Sequence, residues 1–498
     1  MHPFSNKTIR AGLAVAALAL LPLSGTRAQA AAPQAQKEDA ARKQPSITTE
    51  KDQVDLAVTV YNSNIALVRD VRQIHLPSGL FPLHFEDVAA SINPATVHFR
   101  SLVDPAKLNV IEQNYEFDLL DPQKLLQKYV GKEVTLVRAE KDAGSTRWVE
   151  TKAMLLANNN GPVWKIGNEI VTGMSADSYR FPDLPENLYS RPTLVWMLEN
   201  RGSESQRVEA SYLTSNMNWS ADYVLTVGRD EKSADLDGWV TLVNNSGVAY
   251  SNAKLQLVAG QLNRVSTGVG VGVGGGAAVM KAEVAAPQFG QEAFSEYHLY
   301  TLGRRTSIQN NESKQISLLA GSGAPVEKYL LVEGQQYWFR GPTGIGNAIK
   351  QPVKVLYRFK NDEKSSLGMP LPAGTVRVYQ ADSKGGIQFV GEDHIEHTPK
   401  DETVKVHIGE AFDVVCERKE TDYKKISSNT IELEYQITLR NHKDSAVTVE
   451  VREPIGGDWE VQNSNFKWTK LDATTLGFSI PVEKDGTSTL DYRVRVKW

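Results

Sequence analysis

The sequence predicts an all-β protein: an N-terminal strand-rich region with a small helix-capped barrel, followed by antiparallel β-sandwich domains of immunoglobulin-like type. Three observations lead there. Ile431, Leu433, Tyr435, Ile437 and Leu439 alternate with Glu432, Glu434, Gln436, Thr438 and Arg440, the period of a strand with one buried and one wet face. Runs of this kind recur between clusters of Gly, Pro, Asn, Asp and Ser, at the spacing of a sandwich. The clearest helical segment is short.

The chain has 498 residues, and at roughly 150 residues per domain that length suggests about three domains. Lys7 and Arg10 precede the apolar run from Ala11 to Leu23, and Ala28-Gln29-Ala30 supplies an A-x-A cleavage site. Residues 1–30 therefore read as a secretory signal cut after Ala30. The apolar run is shorter than the roughly 18 residues a spanning helix needs. The mature protein is expected to be exported, periplasmic or extracellular, without a transmembrane helix. Cleavage removes Lys7, Arg10 and Arg27 and no acid, so 55 basic against 59 acidic residues becomes 52 against 59, or −7. That balance argues against nucleic acid as a partner. Cys416 is the only cysteine, so no intrachain disulfide is possible, and its phase with Phe412 and Val414 predicts a buried, inert thiol.

Residues 31–51 are rich in Ala, Gln, Lys and Glu and predict a disordered leader. The N-terminal β region spans 52–185. Its strands begin with the alternation Val54, Leu56, Val58, Val60, continue over Ile65 to Val71 and Ile74 to Leu83, and resume over Thr96 to Leu102 and Leu108 to Phe117. A helix follows, with Asp121 as cap, Pro122 at the first position, Leu125, Leu126 and Tyr129 on one face, and Gly131 as terminator. The short strands after it, from Glu133 to Val171, predict a small barrel of SH3 or Sm type. A first sandwich region is expected over 190–350, interrupted by a Gly-rich loop at 266–278, and a C-terminal sandwich over 351–498.

Within the last region, Pro370, Pro372 and Gly374 mark a strand entrance, with Gly374 free to take positive φ. Asp382 to Gly386 supplies the turn between Val376, Val378 and the strand that follows, so a hairpin is expected there.

Candidate chemistry is sparse. Gly270, Gly272 and Gly275 match a dinucleotide fingerprint, but no βαβ unit surrounds them and no Lys-Ser or Lys-Thr follows. Glu392, His394, His397 and His407 are the residues that could ligate a divalent metal, although strand alternation divides them between two faces. Tyr212, Trp219, Tyr223 and Trp239 are dense enough for an aromatic ligand platform, and equally suit a sandwich core. The terminal alternation Leu490, Tyr492, Val494, Val496, Trp498 resembles the closing strand of an outer-membrane barrel, but many strands are shorter than the about 9–11 residues such a barrel needs. No nucleophile elbow and no acid–base couple stands out, and no cofactor is called for.

The runs YLTSNMNWSADYVLTV, EYHLYTLGRRTSI, LGMPLPAGTVRVY, FVGEDHIEHTP, GEAFDVVCERK and DYRVRVKW together resemble a bacterial family grouped as a domain of unknown function with the mucoidy-inhibitor-A-like proteins, over about 191–498. The resemblance implies a β-rich exported envelope protein and no catalytic residues. The front departs from it, with strands where a long coiled coil is expected, so no role in capsule control carries over. The expectation is a non-catalytic envelope protein that binds an envelope protein or glycan. The alternatives are a hydrolase of envelope glycan or peptide, with or without a metal, and an outer-membrane β-barrel.

Overall fold

A computed structural model describes residues 45–116, 119–142, 145–185, 188–260, 262–263 and 288–498. The expected signal, with its expected cleavage site at Ala28 and Ala30, and the Gly-rich run with its fingerprint glycines lie outside the described residues. So does most of the expected leader. Its end is ordered: Ser46–Thr48 pairs in parallel with Gly79–Glu86, and Thr49 caps the turn Glu50–Asp52 reciprocally with Asp52.

The architecture is all-β, built of stacked antiparallel sheets in a sandwich-like arrangement. A four-stranded sheet runs Ser46–Thr48, Gly79–Glu86, Thr193–Asn200, Leu108–Glu116. It faces a larger sheet that includes Ile65–His75, Gln53–Tyr61, Ser205–Ser215 and Tyr250–Ala259. A third sheet contains Gly374–Ala381, Met217–Val227, Ser233–Asn244 and Glu312–Glu333, and continues through Val447–Pro454. The fourth carries Val414–Lys425, Thr430–Asn441 and Thr487–Lys497. Among the described residues no sheet closes on itself, so the outer-membrane barrel is set aside. Leu490, Tyr492, Val494 and Val496 are buried in the core of the last sandwich instead of facing outward.

The expected divisions near 190 and 350 do not separate cores. One contiguous core joins Val58 and Phe85 to Trp219, Leu242, Val376 and Val406, and thus draws on all three expected regions. The reason is pairing across long sequence distances: Gln53–Tyr61 lies beside Tyr250–Ala259, and Met217–Val227 beside Gly374–Ala381. The break expected between Val71 and Ile74 falls later in the chain: Ile65–His75 is one strand, and Gly79–Glu86 is the next. The polar pair Arg72-Gln73 looks like a break, yet Arg72 is buried, bonded to Asp70 at 2.9 Å and seated 3.5 Å over the Phe85 ring.

The helix forms as Pro122–Lys128, with Asp121 Oδ1 accepting from the Gln123 and Lys124 N–H groups at 2.8 and 2.9 Å. Leu126 and Tyr129 cover Val134, Leu136, Leu155 and Trp164 of a five-stranded sheet. That sheet is open, which corrects the expected barrel: its edge strands, Glu169–Thr172 and Ser178–Arg180, are short, largely exposed and not paired with each other.

The expected hairpin is present as Gly374–Ala381 and Ile387–Ile395, with Asp382 Oδ1 accepting from the Lys384 and Gly386 N–H groups. Gly374 serves it through space, not through positive φ: a Cβ there would lie 2.1 Å from the Ala221 carbonyl oxygen of the parallel neighbour. Cys416 and Val414 are buried as expected, but Phe412 precedes the strand and is 95 % exposed.

Four buried asparagines sit at the ends of strands, and all four tie off the chain in the same way. Asn200, Asn244, Asn361 and Asn441 each accept a backbone N–H two to seven residues onward through Oδ1 and donate through Nδ2 to carbonyls of separate segments. Buried carbonyls without donors are costly, so each amide closes a corner the ladder cannot. Asn441→Ala, which strips donors from Ser445, Val482 and Glu483, is expected to lower stability by about 2–3 kcal/mol in urea denaturation. The same change at exposed Asn109 should stay within about 0.5 kcal/mol.

Candidate binding cavity

The strand Val414–Lys425 turns Val414, Cys416, Arg418 and Glu420 inward. Two apolar positions are thus followed by two charged ones on the same buried face, before a register shift between Glu420 and Asp422 ends the alternation. Beside it, Thr430–Asn441 places Tyr435 inward. The turn Gln336–Phe339 lays Tyr337 and Trp338 across the opening, and the loop after it brings Thr343 and Gly344. Together with Asn347 and Ile349 these residues line a cavity of about 200 Å³.

Arg418 is fully enclosed and every edge of its guanidinium is engaged. It is ion-paired with Glu453, donates to Gln351 Oε1 at 2.7 Å, and reaches the Tyr492 hydroxyl at 3.4 Å. Its Cζ lies 4.6 Å from the Trp338 ring centre and 5.2 Å from that of Tyr435. Burial works against the charge on Arg418, and the Glu453 carboxylate outweighs it, so the guanidinium stays protonated. Burial also pushes the Glu453 carboxyl up, with Arg418 opposing. The Glu453 carboxylate abuts Gly334, where a Cβ would stand 2.0 Å from Oε2.

The Glu453 Oε2 has no hydrogen-bond partner and is packed against backbone away from the cavity lining, whereas Glu420 lines the cavity itself. It is 3 % exposed, and its Oε2 accepts from the Thr343 N–H at 2.7 Å and the Thr343 hydroxyl at 2.9 Å. Its Oε1 is buried with no hydrogen-bond partner. Buried carboxylate oxygens are normally satisfied. Tyr435 closes the wall, donating its hydroxyl to the Trp338 carbonyl at 2.8 Å, and burial pushes its ionisation up.

Larger hollows exist, and several of their charges are met within the chain. In one of about 540 Å³, Asp55 bonds both Arg305 and Lys254, and Arg69 bonds Glu209. In another of about 420 Å³, Arg452 pairs with Glu450.

The residues singled out from sequence fall elsewhere. Tyr212, Trp219 and Tyr223 are core residues whose polar tips meet backbone at Ala89, Val258 and Pro372. Trp239, half-buried, alternates out of phase with buried Val240 and Leu242, so the four do not form one exposed platform. Glu392 pairs with Arg377 at 3.2 Å, His394 is exposed, His397 accepts the Ala373 N–H at 3.0 Å, and His407 donates to the Gly409 carbonyl at 3.0 Å. They are not brought together: no three His, Cys, Asp or Glu side chains form a metal-holding group among the described residues. The cavity was missed, although its signal was present in Arg418 and Glu420 standing at apolar phase after Val414 and Cys416, and in Glu453 following Val449 and Val451.

Residues 208–498 match the model of a family described as a domain of unknown function, DUF4139. No curated protein matches the chain.

Two outcomes follow from the buried charges. Arg418→Ala is expected to destabilise by about 3–5 kcal/mol, whereas Arg418→Met combined with Glu453→Leu should recover most of that loss, read by denaturant titration. Burial pushes the Cys416 thiol up to about 12, so iodoacetamide at pH 8 should leave it unmodified in the native protein and label it fully in denaturant.

Proposed function

This chain belongs to the DUF4139 family, and from the cavity at Glu420 we propose that it is a non-catalytic binding module of the bacterial envelope. The observation that carries the reading is the unpartnered Oε1 of Glu420 beneath an aromatic opening. Such a group is an acceptor waiting for a donor from outside the chain. Hydrolysis by a carboxylate couple would need a second free acid or a nucleophile in the same space. The nearby acid, Glu453, is bonded to Arg418, and the nearby thiol, Cys416, is held neutral by burial. The envelope location rests on the basic start, the apolar run and the A-x-A site of residues 1–30. We extend the kinship to the mucoidy-inhibitor-A-like proteins on the shared runs named above, without their role in capsule control.

Expression of the full chain in a bacterial host should yield an envelope or medium fraction whose N-terminus is Ala31. Retention in the cytoplasm with Met1 intact would remove the envelope assignment. Purified protein from Ala31 onward, immobilised and washed with envelope extract, should retain a component that Tyr337→Ala loses by about tenfold. Equal retention by both would sink the cavity as the binding site.

A further inference from the structure

Charge bookkeeping around the cavity narrows its ligand. Resting on the reading of this cavity as a binding site, we propose that it takes the ammonium or guanidinium end of a lysine or arginine side chain presented by a protein partner. Arg418 and Glu453 neutralise each other in direct contact. Glu420 has no cation within ion-pairing distance among the described residues, its only hydrogen-bond donor being Thr343. The enclosed set therefore carries one uncompensated negative charge, and a buried carboxylate without a cation is expensive. A cation from outside supplies both the missing hydrogen bond and the missing charge.

The opening fits the rest of such a side chain. Tyr337 is 62 % exposed and stands edge-on to Trp338 at 5.7 Å between ring centres, and the lining residue Ile349 is also exposed. Aromatic faces attract a cation, and apolar side chains at the rim suit the methylene stem behind it. A volume of about 200 Å³ admits a single side chain, below the roughly 300–1,000 Å³ typical of sites for whole small molecules. A neutral sugar hydroxyl would meet Oε1 but leave the charge standing. An anionic ligand would be repelled.

The test is an NMR titration of the protein from Ala31 onward with acetyl-Gly-Lys-Gly-amide, with the same peptide carrying norleucine in place of lysine, and with an N-acetylglucosamine trimer. The lysine peptide should bind at least about tenfold more tightly than the norleucine peptide, and Glu420→Gln should remove about that factor. Tyr337→Ala, a change at an exposed rim residue that leaves the core intact, should weaken lysine binding several-fold and so guards against a Glu420 variant that fails to fold. Equal affinity for lysine and norleucine, or binding untouched by Glu420→Gln, would overturn the proposal. Binding of the sugar trimer with none of the lysine peptide would overturn it while leaving the cavity a binding site. No binding of either probe would overturn both readings.

Discussion

The strand Glu312–Glu333 pairs with two different sets of neighbours, and the placement of the last sandwich depends on it. Its first part ladders with Ser233–Asn244, through two register shifts. Its second part pairs antiparallel with Lys354–Lys360 and parallel with Val447–Pro454. At about 3.3 Å per residue such a strand would be long and flat if regular, and sheets do not stay flat over that length. The break comes at Gly321 and Gly323: a Cβ on Gly321 would meet Leu367 at 2.5 Å, and Gly323 takes φ +69. Backbone hydrogen bonding thus passes from one set of neighbours to the next within one sheet, and the strand contributes side chains to both hydrophobic clusters.

Each of the two cores also holds an arginine over an aromatic ring, and the comparison isolates what is unusual at the cavity. Arg72 lies over Phe85 and pairs with Asp70, whose other oxygen accepts from Gln53 at 2.9 Å. Both oxygens of that acid are therefore used. Arg418 sits likewise over Trp338 and Tyr435 with Glu453 as its acid, although there only Oε1 is bonded and Oε2 lies against Gly334 without a partner. What the first core lacks is a second acid on the same face. Glu420 is that addition, and nothing in the packing of a sandwich demands it.

Fold class was legible because strand alternation needs only local residue types. Ile431 to Leu439 and Asp382 to Gly386 behave as their sequence reads. Sheet order was not legible, since Gly374 beside Ala221 or Ala57 beside Lys254 is decided by pairing over more than a hundred residues. The barrel expectation failed for a related reason: helix and strand order around Pro122–Lys128 were right, but closure depends on whether two short edges meet. Charged residues were the other blind spot. Ending a strand at Val71 and resuming at Ile74 assumes that charge faces water, whereas Arg72, like Glu420, stands in phase with apolar neighbours and is buried. Period-two phase, applied to charged as well as apolar residues, marks both.

The cavity is also held from the shared strand. Directly after Glu333, the Gly334 N–H bonds the Arg452 carbonyl at 2.8 Å, which sets Glu453 against the Gly334 backbone. Glu453 holds Arg418, Arg418 backs Trp338 and Tyr435, and the Tyr435 hydroxyl fixes the Trp338 carbonyl. Thr343 then pins one oxygen of Glu420 and leaves the other fixed in place. Little conformational freedom remains in these walls for a ligand to remove, so association at Glu420 costs less ordering than it would on a mobile loop. The exposed Tyr337 is the part of the site left to adjust, which puts the adaptable contact at the rim and the charge recognition in the rigid interior.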